Sequence, residues 1–102
     1  MSTTINKIGV IGAGAWGTAL AKHLAEKGLE VRLWAYEQDV ANTINTSHEN
    51  PVFLKGVPLP SNLMSTSSLV EAVHGCDGIL FAVPSHRTRS VLHQLAPYIS
   101  EP

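Results

Sequence analysis

Short apolar runs alternate with amphipathic stretches along this 102-residue chain, and each change of period marks a new element. From Ile5 to Ile11 the residues form a β-rich apolar run that ends at Gly12, the pattern of a strand buried on both faces. Ala19, Leu20, Leu24 and Ala25 then recur at helical spacing within Ala15 to Lys27, and Gly28 closes the helix. Strand character returns over Glu30 to Ala35, with Val31 and Leu33 on one face, followed by the polar stretch Tyr36 to Asp39. Strand, helix and strand are therefore expected within the first 35 residues.

Asp39 to Asn45 suits a short helix, whereas HENPVFLKGVPLP, from His48 to Pro60, carries three prolines and a glycine and is expected to be mostly irregular. So long a connection has two readings: a functional loop, or a surface crossing that packs Val52, Phe53 and Leu54 against the sheet. Leu63 to Ser65 is the candidate third strand. Ser68, with Glu71 three residues on, offers a capping box for a helix over Leu69 to Val73, which Gly75 ends. Ile79 to Val83 has the most buried-looking pattern in the chain, and Pro84 terminates it because proline donates no ladder hydrogen bond. Ser85 is positioned to cap a last helix through Val91, Leu92 and Leu95, which Pro97 interrupts. Repeats and low-complexity tracts are absent. Four strands alternating with helices predict an α/β fold: a Rossmann-type doubly wound parallel sheet, truncated after about four strands.

The glycines give this pattern a chemistry. GAGAWG, from Gly12 to Gly17, fits G-x-G-x-x-G directly between a predicted strand and a predicted helix. In that setting Gly12 permits the tight turn, Gly14 lets the backbone approach a pyrophosphate, and Gly17 lets the helix lie close to the strand. An anion there would meet the free N–H groups and the positive dipole end of the helix. Many NAD-preferring domains place an acid at the end of the second strand. The corresponding position here is Ala35, followed by Tyr36 and by Glu37, which is within reach of a ribose. The cofactor expected is NAD or NADP, with both tolerated. Trp16 either covers the cofactor or packs against a neighbouring loop, and Tyr36 either flanks the adenine or is an ordinary exposed tyrosine.

Composition narrows the setting. The chain is 44% hydrophobic and 15% charged with a formal net charge of -1, a globular balance without the basic excess that nucleic acid or an acidic membrane draws. No apolar run approaches the roughly 20 residues of a spanning helix. With one cysteine, Cys76, and no secretory pattern in MSTTINK, a cytoplasmic location is expected, and Cys76 reads as an inert structural thiol. The five histidines show neither metal-ligand spacing nor a nucleophile partner, although the loops of His48 and His86 could face a nicotinamide.

Four motifs in order resemble the NAD(P)-dependent glycerol-3-phosphate dehydrogenases across nearly the whole chain: IGAGAWGTALA (Ile11 to Ala21), VRLWAYE, HENPVFLKGVPLP and FAVPSH. The resemblance implies reversible hydride transfer between NAD(P)H and dihydroxyacetone phosphate, giving sn-glycerol 3-phosphate for phospholipid synthesis, and it leaves room for a homodimer. It also implies cofactor contacts at Gly12, Gly14, Ala15, Trp16, Gly17, Tyr36, Phe53, Pro84 and Ser85. Many bacterial members carry a basic residue where this chain has Tyr36. No catalytic residue is expected within the chain, because the family's lysines fall beyond Pro102. Residues 1–102 thus read as an NAD(P)-binding domain that is inactive alone and has its fourth strand exposed as an apolar, self-associating edge. Two alternatives remain open: the cofactor domain of another dehydrogenase, of the 3-hydroxyacid dehydrogenase or ketopantoate reductase type, and a non-catalytic NAD-sensing module. The aromatic in GAGAWG and the HENP loop weigh against both.

Overall fold

The computed structural model describes residues 6–83, 85–95 and 97. Eight elements alternate along them: β1 (Lys7–Ile11), α1 (Ala15–Glu26), β2 (Glu30–Trp34), α2 (Gln38–Ser47), β3 (Leu63–Thr66), α3 (Leu69–Val73), β4 (Gly78–Phe81) and α4 (Ser85–Leu95). The strands form one parallel sheet in the order β3-β2-β1-β4. This is the predicted Rossmann-type arrangement, in which the chain reverses its direction of travel between β1 and β4 and leaves a crevice at the carboxyl ends of those strands.

Each face of the sheet is covered because successive side chains of a strand point to opposite sides. Ile8, Val10, Val31, Leu33 and Leu63 meet Ala21 and Ala25 of α1 and Val40, Ala41 and Ile44 of α2 in one cluster. Ile11 and Trp34 meet Ala72, Val73 and Val91 in a smaller cluster on the other face. Complete burial of a side chain such as Leu33 or Ile44 contributes about 1.5–3 kcal/mol, so the larger cluster carries most of the stability. The smaller cluster depends on Gly9: a Cβ there would lie 2.5 Å from the Ala72 carbonyl oxygen, so only glycine lets α3 sit directly on β1.

Several junctions differ from the expected ones. The last helix starts at Ser85 itself, making Ser85 a helical residue rather than its cap. At α3 the Ser68 hydroxyl accepts from Glu71 N at 3.3 Å, but the reciprocal half of the capping box is missing. Thr66 Oγ1 instead accepts from Ser68 N and donates to the Glu71 carboxylate, inserting one hydroxyl between the two residues. Ile79 to Val83, read as the most buried run, yields a shorter strand with Leu80 and Phe81 each 37% exposed. The reason is its place at the sheet edge, with β1 on one side and no described strand on the other.

The long connection also departs from the surface-packing reading. Val52 is 66% exposed and Phe53 44% exposed, so of the three apolar side chains expected to pack inward only Leu54, half-buried and bridged to Asn50, turns away from solvent. The segment is held instead by Asn50 and Leu59, both buried, and by a succession of polar ties. His48 takes a left-handed conformation (φ 54°) at the end of α2, and its carbonyl accepts from Leu59 N. The Glu49 carboxylate accepts from Gly56 N at 2.8 Å.

Candidate functional site

The glycine turn opens onto a crevice of about 800 Å³ at the carboxyl ends of β1, β2 and β4. Its three glycines answer three different demands. Gly12 has φ +124°, a conformation L side chains rarely adopt, and a Cβ there would strike the Ala82 carbonyl at 2.5 Å. A Cβ on Gly17 would collide with the carbonyl of Gly12, so its absence lets α1 begin directly against the turn. A Cβ on Gly14 would meet no atom within 4 Å, so nothing in the fold requires glycine there. Gly14 lines the crevice, and the space its missing side chain leaves open is available to a ligand.

Helix α1 starts with Gly14 as its N-cap, without a side-chain capping bond and without an acidic residue in its first turn. Thr18 N makes the first helical bond, to Gly14 O at 2.9 Å, so the N–H groups of Ala15, Trp16 and Gly17 have no carbonyl one turn back. Ala15, Trp16 and Gly17 all line the crevice. Three unpaired donors and the positive end of the helix dipole make an anion cradle at the floor.

The walls are aromatic. Trp16 is 67% exposed, so its ring is not consumed by packing, and Phe53 stands on the loop side. Tyr36 borders the crevice just beyond β2, set edge-on to Trp34 with ring centroids 6.1 Å apart. Trp34 is itself fixed by donation from Nε1 to Ser67 O at 3.0 Å. Ala35, which occupies the position of the acid in many NAD-preferring domains, packs into the core, so the side chains exposed after β2 belong to Tyr36 and Glu37. Glu37 is the N-cap of α2 yet makes no side-chain capping bond, and it is the only charged residue among the described ones lining the crevice.

Of the residues expected to touch a cofactor, Gly12, Gly14, Ala15, Trp16, Gly17, Tyr36 and Phe53 line this one crevice. Pro84 lies outside the described residues, and Ser85 is described only as the first residue of α4. His48 does not line the crevice, and no group of three metal-ligating side chains occurs among the described residues. Burial raises the pKa of Cys76, whose thiol donates to Ala72 O, which fits the inert reading.

Two polar residues escaped the sequence reading. Asn50, fully buried, donates from Nδ2 to Ala13 O at 2.8 Å and to Thr18 Oγ1 at 2.9 Å. Thr18, also fully buried, donates its hydroxyl to the same Ala13 carbonyl at 3.2 Å. A hint existed in the asparagine placed just before the apolar run Pro51 to Leu54.

Known proteins share this framework. The profile of the NAD-dependent glycerol-3-phosphate dehydrogenase N-terminus matches residues 7–102. A glycerol-3-phosphate dehydrogenase [NAD(P)+] of Parvibaculum lavamentivorans is 46% identical over 101 residues, covering 99% of this chain and 30% of that protein. A protein of the same name from Geobacter metallireducens is 50% identical over 93 residues, covering 91% of this chain and 28% of its own length. The crystal structure of glycerol-3-phosphate dehydrogenase from Coxiella burnetii superposes with a TM-score of 0.90 at 37% identity, over 95% of this chain and 30% of that one. The chain thus spans about 30% of the length of the curated relatives it matches. With the fold, the glycine turn and the profile in agreement, the chain belongs to the NAD-dependent glycerol-3-phosphate dehydrogenase N-terminus family.

Proposed function

We propose that this chain is the NAD(P)-binding part of an oxidoreductase that interconverts dihydroxyacetone phosphate and sn-glycerol 3-phosphate, supplying glycerophospholipid synthesis in the cytoplasm. The observation that carries the reading is the open side of Gly14 in the lining of the crevice, next to the unpaired N–H groups of Ala15 to Gly17. The backbone there would bind the pyrophosphate, Tyr36 and Glu37 would meet the adenosine side, and Trp16 and Phe53 would exclude water from the two flanks. The nicotinamide, once bound, supplies the hydride. Pro84 and Ser85 belong to the same proposed contact set, and no catalytic side chain is assigned within the chain. Glu37 favours free ribose hydroxyls but stands in an exposed position where solvent weakens its field, which supports use of both NAD and NADP. The test is oxidation of NADH and of NADPH by the full-length protein with dihydroxyacetone phosphate. Absence of turnover with both cofactors would refute the assignment, and a preference above about a thousandfold, or 4 kcal/mol, would refute the dual use.

A further inference from the structure

The loop that carries Phe53 meets the glycine turn through one buried side chain. Asn50 is fully buried although Val52 and Phe53 beside it are exposed. Both polar atoms of its amide are engaged: Nδ2 donates to Ala13 O and to Thr18 Oγ1, and Oδ1 accepts from Phe53 N at 3.2 Å. The Asn50 carbonyl also accepts from Leu54 N at 2.8 Å, so side chain and backbone together shape the turn that presents Phe53. The orientation of the amide follows from its neighbours, since Ala13 O can only accept and Phe53 N can only donate.

An apolar residue would fill a buried loop position without the cost of desolvating an amide. What the amide adds is a fixed relation among three parts of the crevice: the turn at Ala13, the first turn of α1 at Thr18, and the aromatic wall at Phe53. Asn50 itself does not line the crevice. We propose that Asn50 is a positioning residue that sets the width of the dinucleotide crevice by fastening the Phe53 wall to the glycine turn. This rests on the NAD(P)-binding reading above. The effect reaches the cofactor through Phe53, so it concerns affinity for both nucleotides rather than the choice between them.

The experiment is a double-mutant cycle in the full-length protein, with Kd for NADH and NADPH read by nicotinamide fluorescence and KM and kcat read in steady state. Asn50→Ala is expected to weaken both cofactors by about tenfold with kcat at saturating cofactor changed less than about twofold, because an unpaired Phe53 N–H lets the wall drift. In a Phe53→Ala background the same replacement is expected to cost less than about threefold, since the wall it positions is gone. Thr18→Val keeps the side-chain volume and removes one strut, so it tests the same link if Asn50→Ala does not fold; it should weaken both cofactors in the Phe53 background and have little effect in the Phe53→Ala one. Unchanged affinity in the folded variants, or equal losses with and without Phe53, overturns the proposal by reducing the network to general stabilisation. If the unaltered protein binds neither cofactor, the NAD(P) reading itself fails and this proposal falls with it.

Discussion

Alanine at position 14 and alanine at position 17 add the same methyl group three residues apart, and the structure assigns them opposite consequences. Gly14 has φ −72° and ψ −174°, extended backbone open to any residue, and its added Cβ meets nothing within 4 Å. Alanine is a poorer N-cap than glycine by about 0.5–1 kcal/mol, and the stiffer unfolded chain returns about 0.4–1 kcal/mol, so Gly14→Ala should leave stability within about 0.5 kcal/mol. The methyl would nonetheless stand where the pyrophosphate is proposed to lie, and NADH affinity should fall at least tenfold, about 1.4 kcal/mol. Gly17→Ala drives its methyl into the Gly12 carbonyl and toward Ala82 Cβ. Neither neighbour is the far end of a flexible side chain, so α1 must move away from the sheet. The cost should reach or exceed the roughly 3 kcal/mol upper end for overpacking, a large fraction of a typical 5–15 kcal/mol domain. Urea denaturation and NADH titration of both variants in the full-length protein separate the effects. Wild-type affinity in Gly14→Ala would refute the placement of the phosphates over this turn, and wild-type stability in Gly17→Ala would refute the close approach of helix and turn.

Other substitutions probe the rim and the frame. Glu37→Gln should improve NADPH binding relative to NADH by about three- to tenfold, because the only charged residue among the described crevice lining is removed; an unchanged ratio would show that Glu37 does not face the ribose. Asp77 Oδ2 accepts from Asn6 N and Lys7 N, and these bonds hold its pKa below the ordinary value. A lowered folded-state pKa contributes stability that is present above the unfolded value, about 3.9, and is lost as pH falls below it toward the folded value. Asp77→Asn should therefore flatten the acid limb of a stability-versus-pH curve, and an unaltered limb would remove Asp77 from that role. A polypeptide of these 102 residues expressed alone should self-associate through β4, with Leu80→Lys reducing the effect; light scattering that shows a monomer at high concentration would argue against an exposed pairing edge.

What the sequence discloses and what it hides follow from the range of the interactions involved. Local rules place the glycine turn, α1 and β2 within a residue or two, because hydrophobic period, turn glycine and helix start all sit within about ten residues of one another. Burial of β4 depends on which strands flank it: the run Ile79 to Val83 taken by itself has a buried pattern, whereas the strand order of the truncated doubly wound sheet places it at the edge, as expected. Ala35 is displaced from its expected role by pleat parity: Leu33 and Ala35 share the core face, so the first solvent-exposed side chains bordering the crevice are those of Tyr36 and Glu37. The polar ties of the long connection are the least legible. His48, Glu49 and Asn50 are adjacent in sequence but act on Leu59, Gly56 and Ala13 respectively, and the last of these is 37 residues away. No periodicity encodes such a partnership, because each bond is fixed by where the loop returns in space. The long connection is therefore both irregular in its backbone and determined in its course: specific polar bonds replace the apolar packing that its valine and phenylalanine suggest, and those side chains remain free to face the crevice or the solvent.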